Sequence, residues 1–411
     1  MKPSAYAGGE TCALPEPEQQ LGLKPGFYVL GAILGLLSAI SPFAIDMYLP
    51  SMPQMARDLT VSETAFQVTL VAYFASFGIT QLIYGPWADS IGRRVPMLVG
   101  LAIFVAASFG AATADTLTEL AVWRFIQGAG GSAAMVVPRA IVRDRYTGIE
   151  ATRLVAIVML VISTSPMLAP LVGSFVTDFF GWRGIFFSLG IAGAVGAFLL
   201  LMCLPETLEE KNKTPARVGD IWRSVRRLLK DPIYMSLVLL SGFGIGSFFV
   251  FIASAAFVYT GQFGLTPKQF SIAFAVNAIG FFSASQMAAG LAQRWSMQKV
   301  CFIGAAGFAL FAALLFVLMQ IGFQSLAVLT VCLFLGNAFL GLAIPTSGVL
   351  ALEDNGDIAG TASSLMGTLQ MMCGVVTIAV SAPFFDGTVV PLTASIAVCG
   401  VLAFLFSLRL R

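Results

Sequence analysis

From about residue 27 almost to its end, this chain alternates apolar runs about as long as a bilayer is thick with short polar stretches. A transmembrane helix needs about 20 such residues, and only a bilayer lets so many runs satisfy their backbone without water. Charged residues make up 11% of the 411, against about 25% in soluble domains, which excludes a soluble enzyme. The formal net charge of +2 gives no electrostatic reason to expect a nucleic-acid partner.

Twelve spans are expected, near 27–49, 64–84, 96–114, 117–138, 151–178, 184–204, 234–259, 268–293, 299–320, 324–350, 358–383 and 389–408. The Pro-, Gly- and Glu-rich residues 1–26 read as a disordered tail, and the longest polar interruption, 205–233, divides the spans six and six. Its stretch DIWRSVRRLLK suits a short basic amphipathic helix, read here as a tether between bundles of residues 27–204 and 234–408, with 409–411 as the end. Nineteen of the 23 Lys and Arg residues fall on one side of this topology and three on the other, so both termini are expected in the cytoplasm. The expected fold is thus all-α and integral to the membrane, with two pseudo-symmetric six-helix bundles. GPWADSIGRR after the second span and AGLAQRWSMQK after the eighth form a weak internal correspondence.

There is no histidine, so proton chemistry falls to carboxylates. The six cysteines lack CxxC spacing and read as small hydrophobes, so no metal or cofactor is expected. Among acids and bases, Asp46 and Arg124 sit inside apolar runs, where each costs about 2.5 to 3.5 kcal/mol on insertion scales and therefore avoids lipid. Gly31, Gly35, Ser38, Pro42 and Asp46 share one helical face; Arg124, Gln127, Gly128, Gly131 and Met135 share another. Such faces either line a cavity or allow close packing. Burial disfavours the charged form of a carboxylate, which lets an acid exchange protons near neutrality. Asp46 is therefore the expected proton-exchanging group, and Arg124 either its modulator or a structural partner for backbone carbonyls. Tyr73, Gln127, Asn277, Asn337 and Gln370 are expected around a substrate cavity, where sparse polar groups among Phe-rich walls suit amphipathic, drug-like ligands.

Residues 85–94, GPWADSIGRR, resemble the signature loop of the major facilitator superfamily, matching at Gly85, Asp89, Gly92, Arg93 and Arg94. RFIQGAGGSA from Arg124 resembles the fourth-helix motif of proton-driven members, and SPMLAPLVG, with Pro166, Pro170 and Gly173, the fifth-helix antiporter motif, with Ala169 where glycine is usual. AIDMYLPSMP, VRDRY, GWRGIFF, LPET and AGTASSLMGT are similar to the bicyclomycin-resistance and chloramphenicol/florfenicol efflux subfamily (Bcr/CflA). The resemblance implies an inner-membrane drug:proton antiporter alternating between inward-open and outward-open states, with Asp46 matching the acid of the first-helix motif. It also places Asp89 at the start of the eleventh helix near Ile358, where a carboxylate is favourable, with Arg93 and Asp144 completing a charge relay that holds the cytoplasmic side shut. The bland alternative is a turn that only fixes topology.

No GxxxxGK[ST] loop is present, so the expected energy source is the proton gradient and the expected partners are protons, lipid and a small amphipathic substrate, with the monomer sufficient. A proton-coupled carrier of a metabolite such as an amino acid or sugar is the alternative on the same fold. A membrane enzyme or receptor is disfavoured by the missing histidine, the scattered carboxylates and the lack of a soluble domain.

Overall fold

The computed structural model describes residues 25–146, 148–208 and 218–410; the expected tail, up to residue 24, and Cys12 within it lie outside the described residues. Eleven helical stretches are long and apolar enough to cross a membrane, and one of them, Gly148–Cys203, is two spans joined at Gly181, whose φ of +69° breaks the helix. The first six spans are α1 (Pro25–Asp46), α2 (Val68–Ile91), α3 (Arg94–Ala112), α4 (Leu117–Arg145), α5 (148–180) and α6 (182–203). The second six are α7 (Pro232–Gly261), α8 (Pro267–Trp295), α9 (Met297–Gln320), α10 (Leu326–Glu353), α11 (Ala359–Ser381) and α12 (Val389–Ser407). There is no strand among the described residues.

Local sequence marks the starts. Asp231 accepts from the backbone N–H of Ile233 and Tyr234 ahead of α7, with Pro232 at the first helical position, where its missing donor costs nothing. Thr266 and Gln269 form a reciprocal capping box at α8. Several helices run past their apolar windows, α2 to Ile91 and α4 to Arg145, because hydropathy measures the lipid-facing length and the helix continues beyond it. α1 does the reverse and stops at Asp46, not 49. Pro50 has no N–H to offer the Asp46 carbonyl, and the chain passes through a 3-10 turn, Leu49–Ser51, into a short helix, Met52–Asp58.

Within the first half α1 packs on α5, and α2 and α3 on α4; within the second, α8 and α9 pack on α10, and α7 on α11 and α12. Across the halves α2 meets α11 and α5 meets α8. The two motif turns correspond: Gly92 after α2 has φ +114° and Ser296 after α8 has φ +77°. DIWRSVRRLLK lies in a helix, Val218–Lys230, with Leu228 buried among α7 and α11 residues. Cysteines 203, 301, 332, 373 and 399 are all free.

The face carrying the α2–α3 turn and residues 139–148 is here called the basic face. Towards the opposite face the halves are sealed together. Phe74 stacks on Phe249 at 3.7 Å, Gln67 Nε2 donates to Ser254 Oγ at 3.3 Å, and Thr64 Oγ1 donates to the Phe385 carbonyl at 3.2 Å. Ser174 and Ser271 share a hydrogen bond of 2.9 Å, and Lys268 pairs with Asp178 at 2.7 Å. On the basic side the halves part around a cavity of about 820 Å³, lined by the ends of α2 and α4, the start of α11 and Val225 of the short helix.

Candidate functional site

The early end of α1 creates the first site. A helix terminus leaves its last carbonyls without intrahelical donors, and these carry the negative end of the macrodipole. Arg124 of α4, fully buried, fills that role: Nη1 donates to the Ala44 carbonyl at 2.9 Å and to Gln127 Oε1 at 2.6 Å. Gln127 Nε2 in turn donates to Ser108 Oγ of α3 at 2.8 Å, fixing the guanidinium from behind. The guanidinium lies between the rings of Tyr48 and Tyr73, 4.4 Å from each centroid. Such contacts reach about 2 kcal/mol or more when desolvated. Nε and Nη2 keep no hydrogen-bond partner among the described residues.

Asp46 sits two residues beyond the carbonyl that Arg124 holds. It is 3% exposed and has no ion-pair or hydrogen-bond partner among the described residues. Arg124 therefore engages the end of α1 through backbone and not through the Asp46 carboxylate. The residue is almost wholly buried, and the guanidinium on the adjoining α4 is already occupied by a carbonyl and two rings.

The two small-residue faces serve packing. Gly31 and Gly35 receive Ile157 and Val161 of α5, Gly128 abuts the Tyr73 carbonyl, and Ser41 Oγ donates to the Gly131 carbonyl at 2.7 Å. Of those two faces only Met135 lines the large cavity. In the fifth-helix motif, Gly173 is the point where α5 crosses the unwound end of α1: a Cβ there would overlap the Met47 carbonyl oxygen. Pro170 is buried and its carbonyl accepts from Ser174 at 2.9 Å, while Pro166 is half-buried.

The five expected cavity residues do not meet in one cavity in this conformation. Tyr73 and Gln127 are committed to Arg124, Gln370 Nε2 donates to Ser241 Oγ at 2.9 Å, and Asn277 Nδ2 donates to the Ala273 carbonyl at 3.0 Å. Asn337 borders a separate void of about 10 Å³ in the second half, room for one water at most. Buried amides took interhelical or backbone partners instead, as polar groups in lipid must.

The signature segment is also not a loop for most of its length. Gly85 and Asp89 lie on the last two turns of α2, and the turn at Gly92 beyond its end lets Arg93 reach back to Asp89. Arg93 pairs with Asp89 and, through Nε at 2.7 Å and Nη2 at 3.2 Å, with Asp144 of α4. Asp89 does not reach the start of α11. It and Ile358, Ala359 and Gly360 line opposite walls of the cavity, so in this state its partner is Arg93.

Glu206, from LPET, completes the cluster and was visible in the sequence only as part of a matched string. Its carboxylate accepts from the backbone N–H of Arg93 and Arg94 at 2.9 and 3.1 Å, capping α3, and from Thr207 and Leu208 at 2.9 and 3.0 Å. A Cβ at Gly92 would stand 2.5 Å from Glu206 Oε2, and the positive φ there excludes one anyway. Partial burial opposes ionisation of Glu206, but the four N–H donors win and hold its carboxyl below its ordinary value. A depressed acid stabilises the fold above its unfolded value of 4.5, and that contribution is lost as pH falls below it. In detergent, Glu206→Gln is expected to cost about 1 to 2 kcal/mol at pH 7, as cap losses do. Its Tm should vary less than the wild type's as pH is lowered through 4.5; parallel profiles would remove the cap from the account.

Other partners were visible in the sequence only within matched strings, GWRGIFF and VRDRY, or not at all. Trp182 Nε1 donates to Asp58 Oδ2 at 3.0 Å, and Arg183 pairs with Asp115 at 2.9 Å, anchoring the α5–α6 turn. Arg139 and Arg143 line the large cavity.

Comparison with known proteins agrees with this architecture. Residues 34–378 match the model of the Major Facilitator Superfamily. The chain is 33% identical over 383 residues to the Uncharacterized MFS-type transporter YdgK of Bacillus subtilis, covering 91% of this chain and 94% of that one. It is 30% identical over 381 residues to a Bicyclomycin resistance protein homolog of Haemophilus influenzae, covering 90% and 93%. In structure it is similar to a D-xylose-proton symporter, with a TM-score of 0.70 at 18% identity over 93% of this chain and 96% of that one, a likeness of fold alone.

Proposed function

Because the chain belongs to the major facilitator superfamily, we propose that it exports small amphipathic drugs in exchange for protons, with Asp46 as the group that exchanges the proton. The observation that carries this reading is the Asp46 carboxylate, buried at the end of α1 with no counter-charge, while the nearby cation, Arg124, is committed to a carbonyl and two rings. A lone acid so placed is stable when protonated and must gain water or a cation to ionise, which a change of state at the Met47–Gly173 contact supplies. The bicyclomycin-resistance relative supports drug-like cargo. So does the apolar inner part of the cavity, with Leu82, Pro86, Met135 and Val136.

The excess of Lys and Arg on the basic face supports a cytoplasmic cavity mouth, with both termini on that side of a bacterial inner membrane. The described conformation is then inward-open. Closure on the cytoplasmic side brings the start of α11 across to Asp89 and Arg93, while the Phe74–Phe249 stack and the Ser174–Ser271 bond open the other side. One exchanging acid gives one proton per cargo molecule, and the monomer holds every group involved.

Transport by purified protein in liposomes under an imposed pH gradient tests this, with a phenicol, a sugar and an amino acid in separate assays. Uphill phenicol movement that collapses with a protonophore is the expected result. Movement of the sugar or amino acid alone would make the chain a metabolite carrier, and movement of nothing would favour a receptor or enzyme.

A further inference from the structure

Resting on that reading of the cavity as the cargo's entry, we infer that the cavity selects amphiphiles with an anionic head group, a carboxylate above all, through Arg139 and Arg143. Among the described residues four charged side chains line it, Asp89, Arg93, Arg139 and Arg143. Arg93 is shared between Asp89 and Asp144, so those charges are engaged with one another. Arg139 and Arg143 are exposed within the cavity, and neither has an ion-pair partner among the described residues. Among the residues whose side chains are described, those of the facing wall are mostly small or hydroxyl-bearing, such as Gly360, Thr361, Ser363 and Ser364, and none is a carboxylate.

The two arginines are four residues apart on α4, so they stand one above the other, about 6 Å apart along the axis. Arg143 is nearer the mouth and Arg139 one turn deeper. Another turn in, the α4 wall becomes apolar with Met135 and Val136, and Leu82 and Pro86 of α2 line the same cavity, with Gln81 beside them as an amide. That order gives the ligand its shape: an apolar body reaching inward and a negative head held behind it by two guanidiniums in succession. Guanidinium forks match carboxylates in two parallel hydrogen bonds, whereas an ammonium ligand would meet like charge at both steps. Export of a monoanion against one entering proton moves two positive charges inward per cycle, so an inside-negative potential drives it as well as the pH gradient.

The test uses the full chain and three probes of one scaffold: 1-naphthaleneacetate, its neutral amide and 1-naphthylmethylammonium. Binding to purified protein is measured by calorimetry, and export from proteoliposomes by release of preloaded probe. The carboxylate should bind about tenfold tighter than the amide and the ammonium weakest, a preference of the size charge-assisted pairing gives. Arg139→Gln should bring carboxylate and amide together, Arg139→Lys should restore part of the gap, and Arg139→Glu should reverse the order. A valinomycin-imposed, inside-negative potential should speed export of the carboxylate more than of the amide. Equal binding of all three probes, or tightest binding of the ammonium, overturns the inference while leaving phenicol export by the wild type to stand. If neither phenicol nor any naphthyl probe moves, the efflux reading falls, and this inference with it.

Discussion

Asp46→Asn is expected to abolish uphill drug transport, reducing accumulation under a pH gradient to that of protein-free vesicles, while drug binding survives. The substitution keeps the shape of the side chain and removes only its ability to take and release a proton. Because Asp46 has no ion-pair or hydrogen-bond partner among the described residues, no pairing is broken and the fold should not suffer. Keeping a buried carboxyl protonated near neutral pH costs stability relative to the ionised acid of the unfolded chain, a cost the amide does not carry, so the variant should melt at the same temperature as the wild type or slightly above it. That combination, intact folding with lost coupling, separates a proton-exchanging acid from a structural one. Downhill exchange of drug between vesicle compartments should persist, since it needs the conformational cycle and not the proton.

The second large effect is one of packing. Gly173→Ala is expected to lower stability by at least about 1 to 3 kcal/mol, the usual cost of overpacking, because the added methyl meets backbone, the Met47 carbonyl, which cannot turn aside as a side chain can. Tm shifts about 2 to 4 °C per kcal/mol for units of about 150 to 250 residues, the size of one six-helix half, so a drop on the order of 5 °C is expected by fluorescence-detected melting. Gly290→Ala on α8 serves as the control, because a Cβ there meets nothing within 4 Å and the backbone is helical. It should leave Tm unchanged or raise it slightly. Any Gly173→Ala protein that does fold should also show altered coupling, because the same contact fixes the chain one residue past Asp46.

Much of the architecture was legible because lipid leaves so few options. The number of spans, the central division and the helical character follow from apolar runs whose backbone must be satisfied internally. The short basic helix at Val218–Lys230 followed from the spacing of its arginines and leucines. Helix ends were less legible, because α2 and α4 extend beyond the bilayer through polar residues that a hydropathy window excludes. The pairing of Asp46 with its surroundings was half visible. Sequence placed an acid and an arginine in the membrane and put each on a small-residue face, but which carbonyl the arginine caps depends on where Pro50 ends α1. Glu206 could not be foreseen as the cap of α3, since it lies 112 residues from Arg94 and the contact exists only because α6 returns beside that turn. The five amides and aromatics expected around one cavity were scattered because each found a nearer partner, whereas two charged side chains that do line the cavity, Arg139 and Arg143, entered the sequence reading only in the count of basic residues and, for Arg143, within VRDRY.

The most direct test of the central claim is proton release on drug addition, followed with a pH indicator in weakly buffered, purified protein. A phenicol added to the wild type near neutral pH should release up to one proton per protein, and Asp46→Asn, binding the same drug, should release none. Equal release from the two proteins would contradict the assignment and move the exchanging group elsewhere in the chain.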